Sequence, residues 1–144
     1  MSRTEQAIGK HGQELAQATL RRMGVKMVEQ IGTPVHLIPH LRDKGYYRVI
    51  FGEKVSGDHR GITFGGISVL VETKTILGRE TLRWSDFREH QPGRLSEHHD
   101  EGGLSLVAWV SDIGVFVLRW PIPGFGPGKS INFERARELE ITEI

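Results

Sequence analysis

Cysteine is absent from this chain, which excludes disulfides, thiolate chemistry and cysteine-built zinc sites together. No apolar run approaches the roughly 20 residues of a membrane-spanning helix. No charged-then-apolar leader stands at the start, so the chain is expected to stay soluble in the compartment where it is made. A strong charge of either sign is missing too: 19 Lys and Arg against 18 Asp and Glu leave a net +1. That balance averages unlike segments. Arg42 to Arg60 holds five basic and three acidic residues, whereas Lys129 to Ile144 holds three basic and four acidic; a nucleic-acid-binding face would have to be local. Repeats and low-complexity stretches are also lacking. What remains, at 144 residues, is one domain of ordinary size, able to bury a core without disulfides or structural metal.

Ser2-Arg3-Thr4-Glu5 has capping-box spacing, and apolar residues recur near helical period from there to Met23. With Arg21 and Arg22 in the last turn and Gly24 as the stop, the pattern predicts a first helix, weakened by Gly9 and Gly12. Val25 to Ile31 reads as a strand ended by Gly32-Thr33-Pro34. Between Pro34 and Ser56 the core signal is weak apart from a short β-like run, Tyr46 to Phe51, and residues 35–56 read as a projecting arm. Ile67 to Lys74 is apolar and β-branched, a buried strand. Ser85 to Glu101 looks helical, with Pro92 expected to kink it or split it after Gln91. Leu104 to Val110 and Val115 to Trp120 are two more strands joined by Ser111-Asp112-Ile113-Gly114, with Trp109 and Trp120 as core. The apolar surplus at Val107, Trp109, Phe116 and Leu118 fits core packing and part of a subunit interface equally. After a stretch rich in Pro and Gly, a short charged helix is expected around Asn132 to Glu140, so 121–144 reads as a C-terminal extension.

The chemistry concentrates in Asp58 and Glu72-Thr73-Lys74. Side chains alternate along a strand, so Glu72 and Lys74 point the same way. Burying a carboxylate and an ammonium at the end of an apolar strand is costly unless they are paired or ligate a metal. A turn at Gly65-Gly66 folds the chain into a hairpin that returns Asp58 toward Glu72. Parity constrains that hairpin. A strict two-residue turn pairs Phe64 with Ile67 and puts Asp58 and Glu72 on opposite faces; a turn with an odd number of residues, such as Phe64-Gly65-Gly66, or a bulge near Gly61 puts them on one face. Magnesium takes one or two protein carboxylates and fills its other positions with water and phosphate oxygens, so Asp58 and Glu72 suit it. Lys74 would then orient the attacking water or neutralise charge building on the phosphoryl oxygens. A Glu and a Lys on a solvated edge strand would give the same tripeptide.

Other constellations carry less. His98-His99-Asp100 resembles a ligand cluster, but adjacent helical positions diverge by about a hundred degrees, and a solvated helix end accounts for it. His36, His40, Lys44 and Arg48 with Tyr46 and Tyr47 suit contacts to a nucleic-acid backbone and its bases, or an ordinary polar loop. Gly124-Phe125-Gly126-Pro127-Gly128 lacks the strand-to-helix setting and the Lys-Ser/Thr of a phosphate loop.

The order of these motifs resembles the PD-(D/E)xK nuclease superfamily, within it the RecU-type Holliday junction resolvases, with Hjc-type resolvases next. The resemblance runs through Gly12-x-Glu14, Ile31-Gly32-Thr33-Pro34-Val35, Asp58, Val71-Glu72-Thr73-Lys74 and Phe87-Arg88-Glu89-His90-Gln91. It continues through Gly102-Gly103 to Gly128-Lys129-Ser130-Ile131. It implies an α/β fold, a mixed sheet flanked by helices with a projecting stalk, in a single nuclease domain over 1–144. The implied activity is a magnesium-dependent endonuclease, manganese able to substitute, that nicks four-way DNA junctions symmetrically as a homodimer in recombination, repair or phage DNA processing. By the same resemblance Asp58 and Glu72, with Thr73, hold the metal; Lys74 is the catalytic lysine; and Glu14 and Gln91 belong to the active site. Arg42, Lys44, Tyr46, Tyr47, Arg48 and Arg60 form the DNA-contacting set. A cytoplasmic location in a bacterial or phage-infected cell and a recombinase partner are further implications. Three departures stand out: an Asp-to-Glu interval one residue longer than usual, Pro92 beside Gln91, and Arg88 where histidine is frequent. Another DNA endonuclease, for restriction or repair, and a non-cleaving junction binder are the alternatives.

Overall fold

The computed structural model describes residues 3–30, 35–39, 47–51 and 59–144. Helix α1 (Arg3–Arg22) opens the chain. Its buried stripe, Gly12, Ala16 and Leu20, recurs every four residues as a helix requires, and buried Met23 continues it just past the last turn. It ends at Gly24 in a Schellman arrangement: Val25 N donates to Leu20 O at 3.1 Å and Gly24 N to Arg21 O at 3.2 Å.

Among the described residues nine strands follow: β1 (Lys26–Gln30), β2 (Val35–Pro39), β3 (Tyr47–Phe51), β4 (His59–Ile62), β5 (Ser68–Thr75), β6 (Thr81–Arg83), β7 (Leu104–Ser111), β8 (Gly114–Arg119) and β9 (Ser130–Asn132). Two helices are interleaved, α2 (His90–Asp100) and α3 (Phe133–Leu139). The main sheet has the order β1-β4-β5-β7-β8. It is mixed, because β5 and β7 pair in parallel while their outer neighbours pair antiparallel. Strands β2 and β3 form a separate antiparallel ribbon that takes in most of the expected Tyr46–Phe51 run.

Helices cover both faces of the sheet, and strand alternation sorts the core between them. On one side Leu106, Ala108 and Val110 of β7 and Val69 and Val71 of β5 pack against Ala16 and Leu20 of α1 and Met23 just after it. On the other, Val107 and Trp109 meet Phe87, Leu95 of α2, Ile131 and Ala136 of α3. Val107, Trp109, Phe116 and Leu118 are all core residues here, so packing and not a subunit interface accounts for them. Residues past Pro121 are part of the same body. β9 pairs with β6, and Phe133 sets its ring 5.3 Å from that of Trp109. Among the described residues, no helix is long and apolar enough to cross a membrane.

Two local outcomes bear on the site. The β4–β5 turn has three residues, Phe64-Gly65-Gly66, with Thr63 N donating to Ile67 O at 3.0 Å and Gly66 at φ 80°. This is a type I turn closed by a left-handed glycine, one of the odd-length solutions. The resulting register pairs His59 with Val71 and Arg60 with Leu70, the even parity that puts position 72 on a shared face with even-numbered positions of the preceding strand. The second outcome corrects an expectation: Pro92 neither kinks nor splits a long helix. A short 3-10 turn at Trp84–Asp86 comes first, and α2 starts only at His90. Pro92 thus falls in the first turn, where backbone N–H groups have no intrahelical acceptor and a missing one costs nothing.

The end of α2 is less solvated than a run of histidines suggests. His98 Nδ1 lies 2.9 Å from Ser105 Oγ, which itself donates to Leu95 O, so the ring donates at Nδ1; Nε2 is 3.1 Å from Ser68 Oγ. Desolvation, then the neighbouring His99, lowers the His98 pKa below its ordinary 6.5. A depressed folded-state pKa means that the unfolded chain binds the proton more readily, so this contribution is present above pH 6.5 and is lost as pH falls below it. Urea midpoints measured at pH 7.5 and 5.5 should therefore drop for the parent protein and drop less for His98→Asn. Equal drops would show that His98 is not the titrating group.

Candidate active site

The C-terminal end of β5 carries the charged residues of the strand. Apolar packing of Val69 and Val71 onto α1 commits odd-numbered side chains to that layer, so Glu72 and Lys74 emerge on the α2 side. Their side chains are 2% and 13% exposed, and Lys74 Nζ stands 3.5 Å from Glu72 Oε1. Gln91, buried in the first turn of α2, joins them. Lys74 Nζ donates to Gln91 Oε1 at 2.6 Å, and Gln91 Nε2 donates to Glu72 Oε1 at 2.6 Å. Arg88 N also donates to Gln91 Oε1, at 2.8 Å. The amide orientation is forced, since only its oxygen can accept from an ammonium and only its nitrogen can donate to a carboxylate. Lys74 Nζ also sits 5.0 Å from the centroid of the Phe87 ring, within cation–π range. Buried opposite charges are tolerated when geometry is good and the remaining donors and acceptors are satisfied, and the glutamine bridge supplies that.

A cleft of about 220 Å³ opens beside this network. Glu72 to Thr75 form its floor, Arg88 and Gln91 one rim, and Gly9 and Gln13 of α1 the other. The two α1 residues are one helical turn apart and so share a face. Gln13 is held there by Gln30 of β1, whose Nε2 donates to Gln13 Oε1 at 2.5 Å.

The structure thus brings together Glu72, Lys74 and Gln91. Thr73 points to the opposite layer, its Oγ1 3.4 Å from Nδ1 of buried His59. Glu14 is exposed on α1 and does not line the cleft; Gln13 before it does. Arg60 is exposed and pairs with Glu29 at 3.8 Å, a surface contact worth little. Asp58, Arg42, Lys44 and Tyr46 lie outside the described residues. For Tyr47 and Arg48 only the backbone is described, in β3 opposite Pro39 and Ile38. Gly9, Gln13 and the Phe87 ring were not anticipated at the site. The i, i+4 placement of a glycine and a glutamine beside the Gly12–Ala16 stripe is the signal that would have found the first two.

Among the described residues, no group of three His, Cys, Asp or Glu side chains converges as a ready metal cage. Glu72 nevertheless offers a hard oxygen donor at the floor of an open polar cleft, and a magnesium ion with one or two protein carboxylates completes its octahedron with water and phosphate. The donor chemistry therefore fits that ion. No known protein-family model matches the chain, and no curated protein does.

Proposed function

We propose that the cleft is the active site of a metal-dependent phosphodiester hydrolase. Within that class the best-supported reading is a structure-selective DNA endonuclease acting on four-way junctions as a homodimer, with two sites for two symmetric nicks. The observation that carries it is the buried Glu72–Gln91–Lys74 network at the floor of an open cleft, with the even hairpin register that suits a second carboxylate at Asp58. Glu72, with Asp58, would hold a magnesium ion. Such an ion supplies an activated water and neutralises developing phosphoryl charge.

The remaining roles fall to the chain's own groups. Gln91 holds the Glu72 carboxylate and the Lys74 ammonium at fixed separation. Lys74, partly open to the cleft, presents a cation to a phosphate oxygen or to the attacking water. Phe87 beneath it limits where the ammonium can move. The arm at 35–56 would set junction preference, with Arg42, Lys44 and Arg48 on phosphates and Tyr46 or Tyr47 stacking at the open centre.

A gel comparing a synthetic four-way junction, a linear duplex and a flap, each with and without magnesium, tests this. Paired nicks in the junction that require the metal are expected. Equal cleavage of all three substrates would keep the hydrolase and remove the junction preference. No cleavage of any of them, in magnesium or manganese, would overturn the enzyme reading.

A further inference from the structure

A second notch, of about 340 Å³, lies between the 3-10 turn and the loop before β9. Its construction follows from one strand pair. In the β6–β9 ladder Leu82 faces Ile131 and Arg83 faces Ser130. Leu82 and Ile131 are buried in the core, so alternation turns Arg83 and Ser130 outward together. Trp84 N donates to Lys129 O at 3.0 Å, which fixes Lys129 next to Arg83, and Ser85 completes the polar rim. Trp84, half-buried, also lines the notch.

The carboxylate of Asp86, three residues beyond Arg83, does not neutralise it. Asp86 is taken by Arg79, whose Nη2 donates to Oδ1 at 2.6 Å, and by the backbone N of Arg83, which donates to Oδ2 at 2.7 Å. Among the described residues, neither Arg83 nor Lys129 has an ion-pair partner. The notch therefore presents two exposed cations, two hydroxyls and an aromatic ring at one point of the surface. A guanidinium and an ammonium with hydroxyl donors match the tetrahedral oxygens of a phosphodiester.

Position decides which phosphate. The Trp84 ring is 6.4 Å from that of Phe87, and the Phe87 ring is 5.0 Å from Lys74 Nζ. The indole is thus no farther from the Lys74 ammonium than the sum of these two distances, at most about three nucleotide rises of about 3.4 Å. We infer that Arg83, Lys129 and Ser130 form a phosphate-binding subsite that seats the DNA strand a few nucleotides from the bond addressed in the Glu72–Lys74 cleft. The inference rests on reading that cleft as a nuclease site, and it adds a positioning site outside both the cleft and the arm.

The test measures binding apart from cleavage. Labelled four-way junction and duplex are titrated without divalent ion, across a range of salt, against the parent protein, Arg83→Ala/Lys129→Ala, Lys129→Ala and Lys129→Glu, with thermal melts as a folding check. Both positions are on the surface, so melts should superimpose. The double variant should bind at least severalfold more weakly, and its log–log salt slope should flatten by about one unit for each phosphate no longer neutralised. Lys129→Glu, which leaves Arg83 in place, should weaken binding further than Lys129→Ala. With cleavable junction, KM should rise while kcat changes little. Weakened binding in a protein that cleaves nothing would keep the subsite and remove the hydrolase reading. Parent-like affinity and slope in all three variants would overturn the subsite, whatever cleavage shows.

Discussion

Glu72→Gln should reduce junction cleavage by at least a hundredfold while leaving the fold and DNA binding intact. The substitution keeps the shape and an oxygen able to accept from Gln91, but removes the buried carboxylate at the cleft floor. Removing a single preorganised electrostatic contact from an active site commonly costs about 10²–10³ in rate, and loss of a metal-binding charge is at least as severe. Binding should hold or tighten, because a negative charge facing phosphate has gone. Asp58→Ala should share the phenotype if the two carboxylates hold one ion. Glu72→Ala is a poorer probe. It takes the carboxylate acceptor from the Gln91 amide and the opposite charge from the Lys74 ammonium, and breaking one side of a buried ion pair costs about 3–5 kcal/mol. Single-turnover cleavage at the parent rate by Glu72→Gln in saturating magnesium would sink the assignment of Glu72 as a catalytic group.

Gly12→Ala should be the most damaging small substitution on α1. A Cβ there would overlap Thr75 Oγ1 and come within 2.9 Å of Thr75 Cβ, so the helix must move off β5. Overpacking of this kind costs about 1–3 kcal/mol, against the small gain that alanine ordinarily brings to a helix interior. Gly9, one turn earlier, has nothing within 4 Å of its notional Cβ, so Gly9→Ala should be neutral or slightly stabilising by comparison. The discriminating measurement is a double-mutant cycle. Thr75→Ala removes the nearest atom, and the two substitutions together should cost less than the sum of the singles. Strict additivity would mean that α1 does not cross β5 at Gly12.

Much of this organisation was legible in the chain. Val69 and Val71 announced which face of β5 was apolar, and that settled the direction of Glu72 and Lys74 by period alone. The hairpin was narrowed to two solutions for a shared face, an odd turn length or a bulge near Gly61, and the three-residue turn Phe64-Gly65-Gly66 is the one that forms. The start of the helix carrying Gln91 was not legible, because Pro92 signals a break and a first turn equally well; the preceding 3-10 turn resolves the two. The parallel pairing of β5 with β7 left no local mark, since parallel neighbours meet only through a crossover. Lys129 and Ser130 were visible as residues but not as neighbours of Arg83, because a three-residue strand pair spanning 47 positions has no periodic signature. Asp58 and most of the arm lie outside the described residues.

The parallel register of β5 and β7 has one further consequence. Gln91 lies on the crossover between these strands, and Gly9 and Gln13 come from the opposite layer, so the cleft exists only where two distant stretches have closed around β5. A chain that has formed its local hairpins, β4–β5 and β7–β8, already carries Glu72 and Lys74 on a strand, yet has neither the amide bridge nor the walls. A nascent or half-unfolded copy that lacks these long-range contacts should therefore be inert, because the contacts that complete the cleft are not local ones. If the proposed cleavage holds, that dependence is a safeguard built from topology alone.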